Sequence, residues 1–360
     1  MPEARNTTNS SKPVSRAVRD SNMELLRIMA MVLVMVVHAN FRALPVPGAT
    51  AIATSPTSAW LQFLTEGLSI VSVNLFVLLS GWYGIRPKVH RFAELLFQVL
   101  FFTLIGVGVS ELLVPGSAVG APDFWKRFFM LGDGHYWFVK TYIALYLLAP
   151  VLNAYVESAS RRGFAWLLAA FFTFQFIFGW LWEAVTWFKA GYSLTSFMGL
   201  YLLARYIRLY PTRIWRMSRW CDLAIYLAVA LVLAVAMFHI KRNSGLGGFL
   251  YFYNCPLVIL SAVHLMLFFS KLSFKSRLVN WLAISAFAIY LTHSGTFLWT
   301  YYDDAIRLWF AGESRFTFIL YAAAMMAAVF VVSILLDKMR LLMWKPIERV
   351  MISCRHGKLS

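Results

Sequence analysis

The sequence predicts an all-α polytopic membrane protein, with about ten transmembrane helices in one bundle and both termini cytoplasmic. Three observations predict it. Hydrophobic residues fill 60% of the 360 positions and charged residues only 14%, and mean hydropathy is +0.67, outside the range of an ordinary soluble domain. Apolar segments of spanning length, or close to it, recur along the chain. Lysine and arginine fall mainly in alternate loops, the asymmetry that orients membrane helices.

Three regions follow: 1–20 as a short disordered cytoplasmic tail, 21–336 as the bundle, and 337–360 as a basic cytoplasmic or interfacial tail. The first apolar segment lies near 23–41. A basic stretch before it and the small-residue triplet at Ala51–Ala53 raise the alternative of a cleaved signal peptide. The apolar run is too long for one, contains Arg27 and His38, and ends well before the triplet, so it reads as a retained helix. Further segments lie near 61–84, 92–114, 136–153, 164–182, 192–209, 222–240, 249–270, 280–301 and 316–336. With their loops they consume nearly the whole chain and leave no room for a separate soluble domain.

Arg86, Lys88 and Arg91 follow the second segment, Arg161 and Arg162 the fourth, Arg205 to Arg219 the sixth, and Lys271, Lys275 and Arg277 the eighth. This sets both termini on the cytoplasmic side, and the parity of the segments agrees. The same distribution explains the net charge of +17 without nucleic acid. The longer loops, 42–60 and 114–135, fall on the opposite face, where a surface ligand would be received. From Asp337 to Arg355 basic residues alternate with Leu, Met, Trp and Ile. This reads as an interfacial amphipathic helix interrupted by Pro346, or as a basic stop-transfer flank. Cys221, Cys255 and Cys354 are far apart and lack metal-ligand spacing, so neither a disulfide framework nor a metal site is implied. No Gly-rich phosphate loop, zinc-binding His-Glu-x-x-His or Gly-x-Ser-x-Gly elbow is present.

The most informative residues lie on the first segment. An arginine near the centre of a membrane helix costs roughly 2.5–3.5 kcal/mol on insertion scales and persists where it faces protein or a wet cavity. Glu24, Arg27, Met31, Val34 and His38 follow alternating steps of three and four, which makes one stripe. Arg27 and His38 fall within about 20° of one face and roughly 16 Å apart. Glu24 and Arg27 can pair at i,i+3, and His38 can take a proton from a hydroxyl. Tyr290 and His293 share a face of the ninth segment. Interhelical hydrogen bonding is the simpler explanation of any one such histidine. Two helices each presenting a histidine inward fit a lined cavity better than two unrelated packing events.

Asn74, Ser80, Gln98, Gln175, Asn254 and His264 are weaker signals, each more often a helix–helix contact, and Gly81 permits close packing. Asp133-Gly-His135-Tyr-Trp137 enters the fourth segment; its aromatics suit an interfacial anchor or a sugar face. Arg86, Lys88 and Arg91 read as positive-inside topology or as a phosphate-binding rim.

Taken in order, these residues resemble the acyltransferase-3 family of bacterial integral membrane proteins. Glu24-Leu-Leu-Arg27 with His38 is similar to that family's first-helix motif of an arginine, ten residues and a histidine. Asn74 to Ser80-Gly81 resembles its second-helix stretch, Trp137-Phe138 with Pro150 its Trp-Phe helix, and Ala286 to Tyr290-Leu-Thr-His293 its late Tyr-Leu-x-His helix. Glu24 stands where many members have aspartate, and Arg91-Phe-Ala-Glu94 replaces a common Arg-x-x-Arg pair. The resemblance implies a stand-alone, multi-pass O-acyltransferase of the bacterial cytoplasmic (inner) membrane. It implies transfer of an acyl group, usually acetyl, from cytoplasmic acyl-CoA to a hydroxyl of a surface glycan or its lipid-linked precursor. Acetyl-CoA is then a co-substrate, with no permanently bound cofactor. Arg27, with Arg86, Lys88 or Arg91, would hold the CoA phosphates. His38 would act as general base or accept the acyl group first. Tyr290 and His293 would orient the acceptor or stabilise charge, with Glu24, Asn74, Ser80 and Trp137 completing the binding surface.

Two other functions remain open at this point. Intramembrane Arg, His and Glu also mark proton-coupled secondary transporters, although no inverted repeat or matching pair of broken helices is evident. A membrane glycan polymerase or ligase usually offers carboxylates or arginines in large outer loops, and Asp303-Asp304 is the only adjacent acidic pair here.

Overall fold

Each apolar segment read from the sequence is helical in the computed structural model, which describes residues 20–129, 136–182, 186–244 and 248–356, with side chains to 353. No strand occurs among the described residues. The helices are α1 (Ser21–Val37), α2 (Ala49–Thr54), α3 (Pro56–Ser69), α4 (Ser72–Tyr83), α5 (Val89–Leu113), α6 (Phe124–Phe128), α7 (Trp137–Ser158), α8 (Arg161–Phe174), α9 (Leu194–Leu209), α10 (Arg219–Asn243), α11 (Pro256–Ser270), α12 (Arg277–Ala283), α13 (Ala286–His293), α14 (Trp299–Gly312) and α15 (Arg315–His356). A π-turn, His38–Arg42, continues α1, and a second, Gln175–Leu181, continues α8.

Among the described residues, 8 helices are long and apolar enough to cross a membrane. The segment near 192–209 forms the 16-residue α9, below that length. The segment near 280–301 is divided among α12, α13 and the start of α14. Ser285 separates the first two, and the chain turns at Ser294-Gly295 after α13, with Leu298 N–H donating to the Gly295 carbonyl at 3.0 Å. The carbonyls freed at the end of α13 are met from outside the helix: the Tyr136 hydroxyl donates to Leu291 O at 3.0 Å. An interrupted backbone at membrane depth persists where protein surrounds it.

α1 is central, packed against α3, α4, α11, α12 and α13. Its Leu26, Met31 and Met35 join the main core with Phe63, Leu75, Leu78 and Phe197. A helix wrapped on so many sides can carry polar groups that lipid would reject. The approach of α4 to α9 depends on Gly81: a Cβ there would collide with the Tyr201 carbonyl oxygen and lie 2.9 Å from Ala204 Cβ. Gly84, at φ +75°, then ends α4.

The start of α1 and the later half of α15 lie at one end of the bundle. Asn22 Nδ2 donates to Phe269 O at 2.9 Å and to Leu272 O at 2.8 Å, tying α1 to the end of α11. Gln98, which lines a cavity with Glu24 and Arg27, donates to Asp337 Oδ1 at 2.8 Å. Asp337 and Arg340 are buried and paired at 2.7 Å, so the packed bundle continues beyond residue 336. α15 also runs through Pro346 without a break. The stretch 1–19 lies outside the described residues.

Candidate active site

The π-turn at the end of α1 is the frame of the site. Its closing bond runs from Ala43 N–H to the His38 carbonyl, 3.0 Å, so the turn carries one residue more than an α-turn. His38 and Arg42, four residues apart, both reach the end of α13. His38 Nδ1 lies 2.9 Å from His293 Nε2 and 2.9 Å from Ser294 Oγ. Arg42 Nη1 donates to Ser294 Oγ at 3.1 Å, and its Nη2 and Nε donate to Asp303 Oδ1 at 2.7 and 3.1 Å. Asp303 is fully buried, so the guanidinium supplies the counter-charge its carboxylate needs. Tyr302 closes one side, its ring 5.3 Å from that of His293 and its hydroxyl donating to Met35 O at 3.0 Å.

These contacts settle which nitrogen of each neutral ring carries hydrogen. His293 Nδ1 lies 2.6 Å from the Ile289 carbonyl oxygen, which can only accept. His293 therefore holds its proton on Nδ1 and presents a lone pair at Nε2. His38 must then donate from Nδ1, which leaves His38 Nε2 as a basic lone pair. A base on one side of the ring is set by a hydrogen-bonded partner on the other.

The opposite end of the stripe opens into a cavity of about 680 Å³. Glu24, Arg27, Ser80, Arg86 and Arg91 line it, with Tyr142, Tyr146 and Gln98. Arg27 Nη1 donates to Glu24 Oε2 across one helical turn, as the i,i+3 spacing predicts. The Ser80 hydroxyl donates to Phe76 O at 2.9 Å and lies 3.3 Å from the Tyr142 hydroxyl. Phe138 and Phe287 also line the cavity. The Tyr290 ring stacks on Phe287 at 5.9 Å, meets Phe138 edge-on at 5.8 Å, and lies 6.3 Å from His293. An aromatic column thus joins the cavity to the histidine pair.

The sequence candidates divide into three groups. His38 and His293 are in direct contact, with Tyr290 beside them. Glu24, Arg27, Ser80, Arg86 and Arg91 share the cavity. Asn74, Lys88 and Trp137 line neither feature. Asn74 Nδ2 donates to Tyr253 O at 2.9 Å and ties α4 to the start of α11. Lys88 is exposed, and its backbone N–H donates to the Tyr146 hydroxyl at 2.8 Å. Trp137 packs on Tyr192 at 4.5 Å, with Tyr253 at 6.1 Å, an aromatic cluster beside the column. Asp133 and His135 lie outside the described residues.

Sequence reasoning missed Arg42, Ser294 and Asp303. Arg42 read as a loop residue, yet it stands four positions after His38 and so shares its face. Ser294 follows His293 directly. Asp303 stood out in sequence only as half of an acidic pair, and only the fold shows that Arg42 reaches it.

A family model described as an acyltransferase domain matches residues 20–338, nearly the whole chain. No curated protein and no solved structure matches it.

Proposed function

We propose, proceeding from the fact that the chain belongs to the acyltransferase-3 family and is a membrane acyltransferase, that it moves an acetyl group from acyl-CoA to a hydroxyl of a surface glycan or its lipid-linked precursor. The observation that carries this reading is the pair of sites on one stripe: a cation-lined cavity at Arg27 and a preset basic nitrogen at His38, joined by the aromatic column. The protein sits in a bacterial cytoplasmic membrane with the Arg27 end facing the cytoplasm, the side on which acyl-CoA is found.

CoA enters the cavity with its phosphates at Arg27, Arg86 and Arg91, and the extended pantetheine arm runs along Phe138, Phe287 and Tyr290. This places the thioester at His38. His38 Nε2 takes the proton of the acceptor hydroxyl, and the freed oxygen attacks the thioester carbonyl carbon. The tetrahedral intermediate collapses, the C–S bond breaks, and the thiolate takes the proton from His38, giving the ester and free CoA. In the alternative order, His38 Nε2 attacks first and passes the acyl group on. Both orders need the same tautomer. His38 Nδ1–H remains shared between His293 Nε2 and Ser294 Oγ while the ring is charged. Arg42, bound to Ser294, is the cation beside the charge that develops on oxygen.

The acceptor arrives from the other end. There a cavity of about 630 Å³ is lined by residues from Pro45 through α2 to Ser55, with Gln62, Glu313 and Arg315. It abuts the back of the π-turn, because Asn40 Nδ2 donates to Gln62 O at 2.9 Å. The stretch 42–60, largely helical in α2 and the start of α3, would thereby form a mouth of the size a sugar needs.

The test is transfer of radiolabelled acetyl from acetyl-CoA by the purified protein in nanodiscs, with a lipid and glycan extract of the host envelope as acceptor. Label should appear in an alkali-labile glycan or glycolipid fraction. If the protein neither binds nor consumes acyl-CoA with the extract present, the proposal fails and a proton-coupled transporter becomes the better reading of the stripe.

A further inference from the structure

A second cationic cavity lies at the Arg27 end of the bundle, outside the donor path. It has a volume of about 610 Å³, and Arg208, Arg216 and Lys271 line it together with Trp82, Trp215 and Leu267. No carboxylate is among its lining residues. It is separate from the donor cavity, but the two are neighbours: Trp82 faces one and the adjacent Tyr83 the other.

Two of its three cations, Lys271 and Arg208, have fixed partners. Lys271 Nζ donates to Asp222 Oδ2 and, at 2.8 Å, to the Met217 carbonyl oxygen. An ammonium has three donors, so one remains for the cavity it lines. Asp222 is fully buried, and its other oxygen lies 2.9 Å from Nδ1 of the buried His264. A buried carboxylate is costly unless paired, and here its partners fix one wall of the cavity. The Arg208 guanidinium lies over the Trp82 ring, 4.6 Å from its centroid. Arg208 and Arg216 are themselves exposed, so the cavity is open to the boundary region. Asp222 offsets Lys271, which leaves Arg208 and Arg216 as the net charge of the site.

Two guanidiniums with no carboxylate in the lining, an ammonium with one donor left and two indoles beside aliphatic wall match a phosphate at the membrane boundary. We propose that this cavity binds a phosphate group, and that its source is the headgroup of an anionic phospholipid. The apolar wall of Trp82, Trp215 and Leu267 would take the glycerol and the first carbons of the chains. This inference does not rest on the acyl-transfer reading. Because Trp82 and Tyr83 are consecutive, an occupied site braces the end of α4 that forms the rim of the donor cavity.

The test compares wild type with Arg208→Gln/Arg216→Gln, substitutions that leave the Asp222–Lys271 pair intact. Full-length protein is delipidated in neutral detergent and titrated with phosphatidylglycerol or phosphatidylcholine, and bound lipid is counted by native mass spectrometry. Parallel titrations use inorganic phosphate and ADP, followed by thermal shift. Wild type should retain phosphatidylglycerol over phosphatidylcholine, and the double variant should lose affinity for it by at least about tenfold. Binding of phosphate or ADP that is lost in the double variant, without selective lipid retention, supports the phosphate site and makes its source soluble. Equal retention of phosphatidylglycerol by wild type and variant, or no selective binding of any phosphate-bearing probe, overturns the proposal. A folded-state readout, the unfolding temperature without probe, separates lost binding from lost structure.

Discussion

Around His38 the first span meets a closed set of partners, whereas around Arg27 it borders open space. The His38 ring is fixed by His293 and Ser294, Ser294 by Arg42, and Arg42 by a fully buried Asp303. The Arg27 side chain has Glu24 as its partner and is about one-third exposed in a cavity of about 680 Å³. Under the proposed function, the contrast is a division of labour along one helix. Chemistry needs a nitrogen of fixed tautomer held in fixed geometry, and the π-turn and the break after α13 supply it. Binding a long, flexible, multiply charged donor needs room and spaced cations, which the proposed donor cavity would supply.

The sharpest way to break the comparison is to substitute at the closed end. His38→Ala should lower transfer by about 10³-fold, in the range of general-base catalysis, while donor affinity stays near that of wild type. His293→Ala should cost about 10²-fold in kcat, because His38 Nδ1 loses the partner that keeps its Nε2 basic. Steady-state kinetics with acetyl-CoA read both. At the open end the effect should move to binding: Arg27→Gln is expected to raise KM for acetyl-CoA about tenfold, the worth of one charge-assisted hydrogen bond, with little change in kcat. Arg86→Gln or Arg91→Gln should raise KM only about threefold, since both are exposed. That effect should shrink with added salt. Gly81→Ala tests packing apart from either end. Its Cβ meets the backbone of α9, and a loss of about 1–3 kcal/mol should appear as a lower unfolding temperature.

The open end was the more legible of the two in the sequence. Glu24 and Arg27 are local in sequence, so helical spacing alone places them together, and the basic run from Arg86 to Arg91 stands out in sequence after the second span. His38 and His293 were each legible as inward-facing histidines, but their contact spans 255 positions and no local pattern encodes it. The tautomer relay was hidden for the same reason, since it depends on an acceptor at Ile289 and on the break at Ser294-Gly295. A hydropathy window reads 280–301 as one apolar segment because the residues on both sides of the break are apolar. It cannot see that buried surroundings allow the backbone to turn there. Asp303 carried no further signal in the sequence because its buried state and its pairing with Arg42 both come from the fold. Asn74 illustrates the reverse: a polar residue inside a span whose amide serves packing, bonded to a backbone carbonyl.

The most direct test of the account measures binding and turnover of radiolabelled acetyl-CoA on the same nanodisc preparations of wild type, His38→Ala and Arg27→Gln. The account predicts that His38→Ala binds the donor as wild type does and transfers almost nothing. It predicts that Arg27→Gln binds weakly but approaches the wild-type rate once the donor saturates it. If His38→Ala loses donor binding and Arg27→Gln stays slow at saturation, the separation of chemistry from binding along the first helix is contradicted.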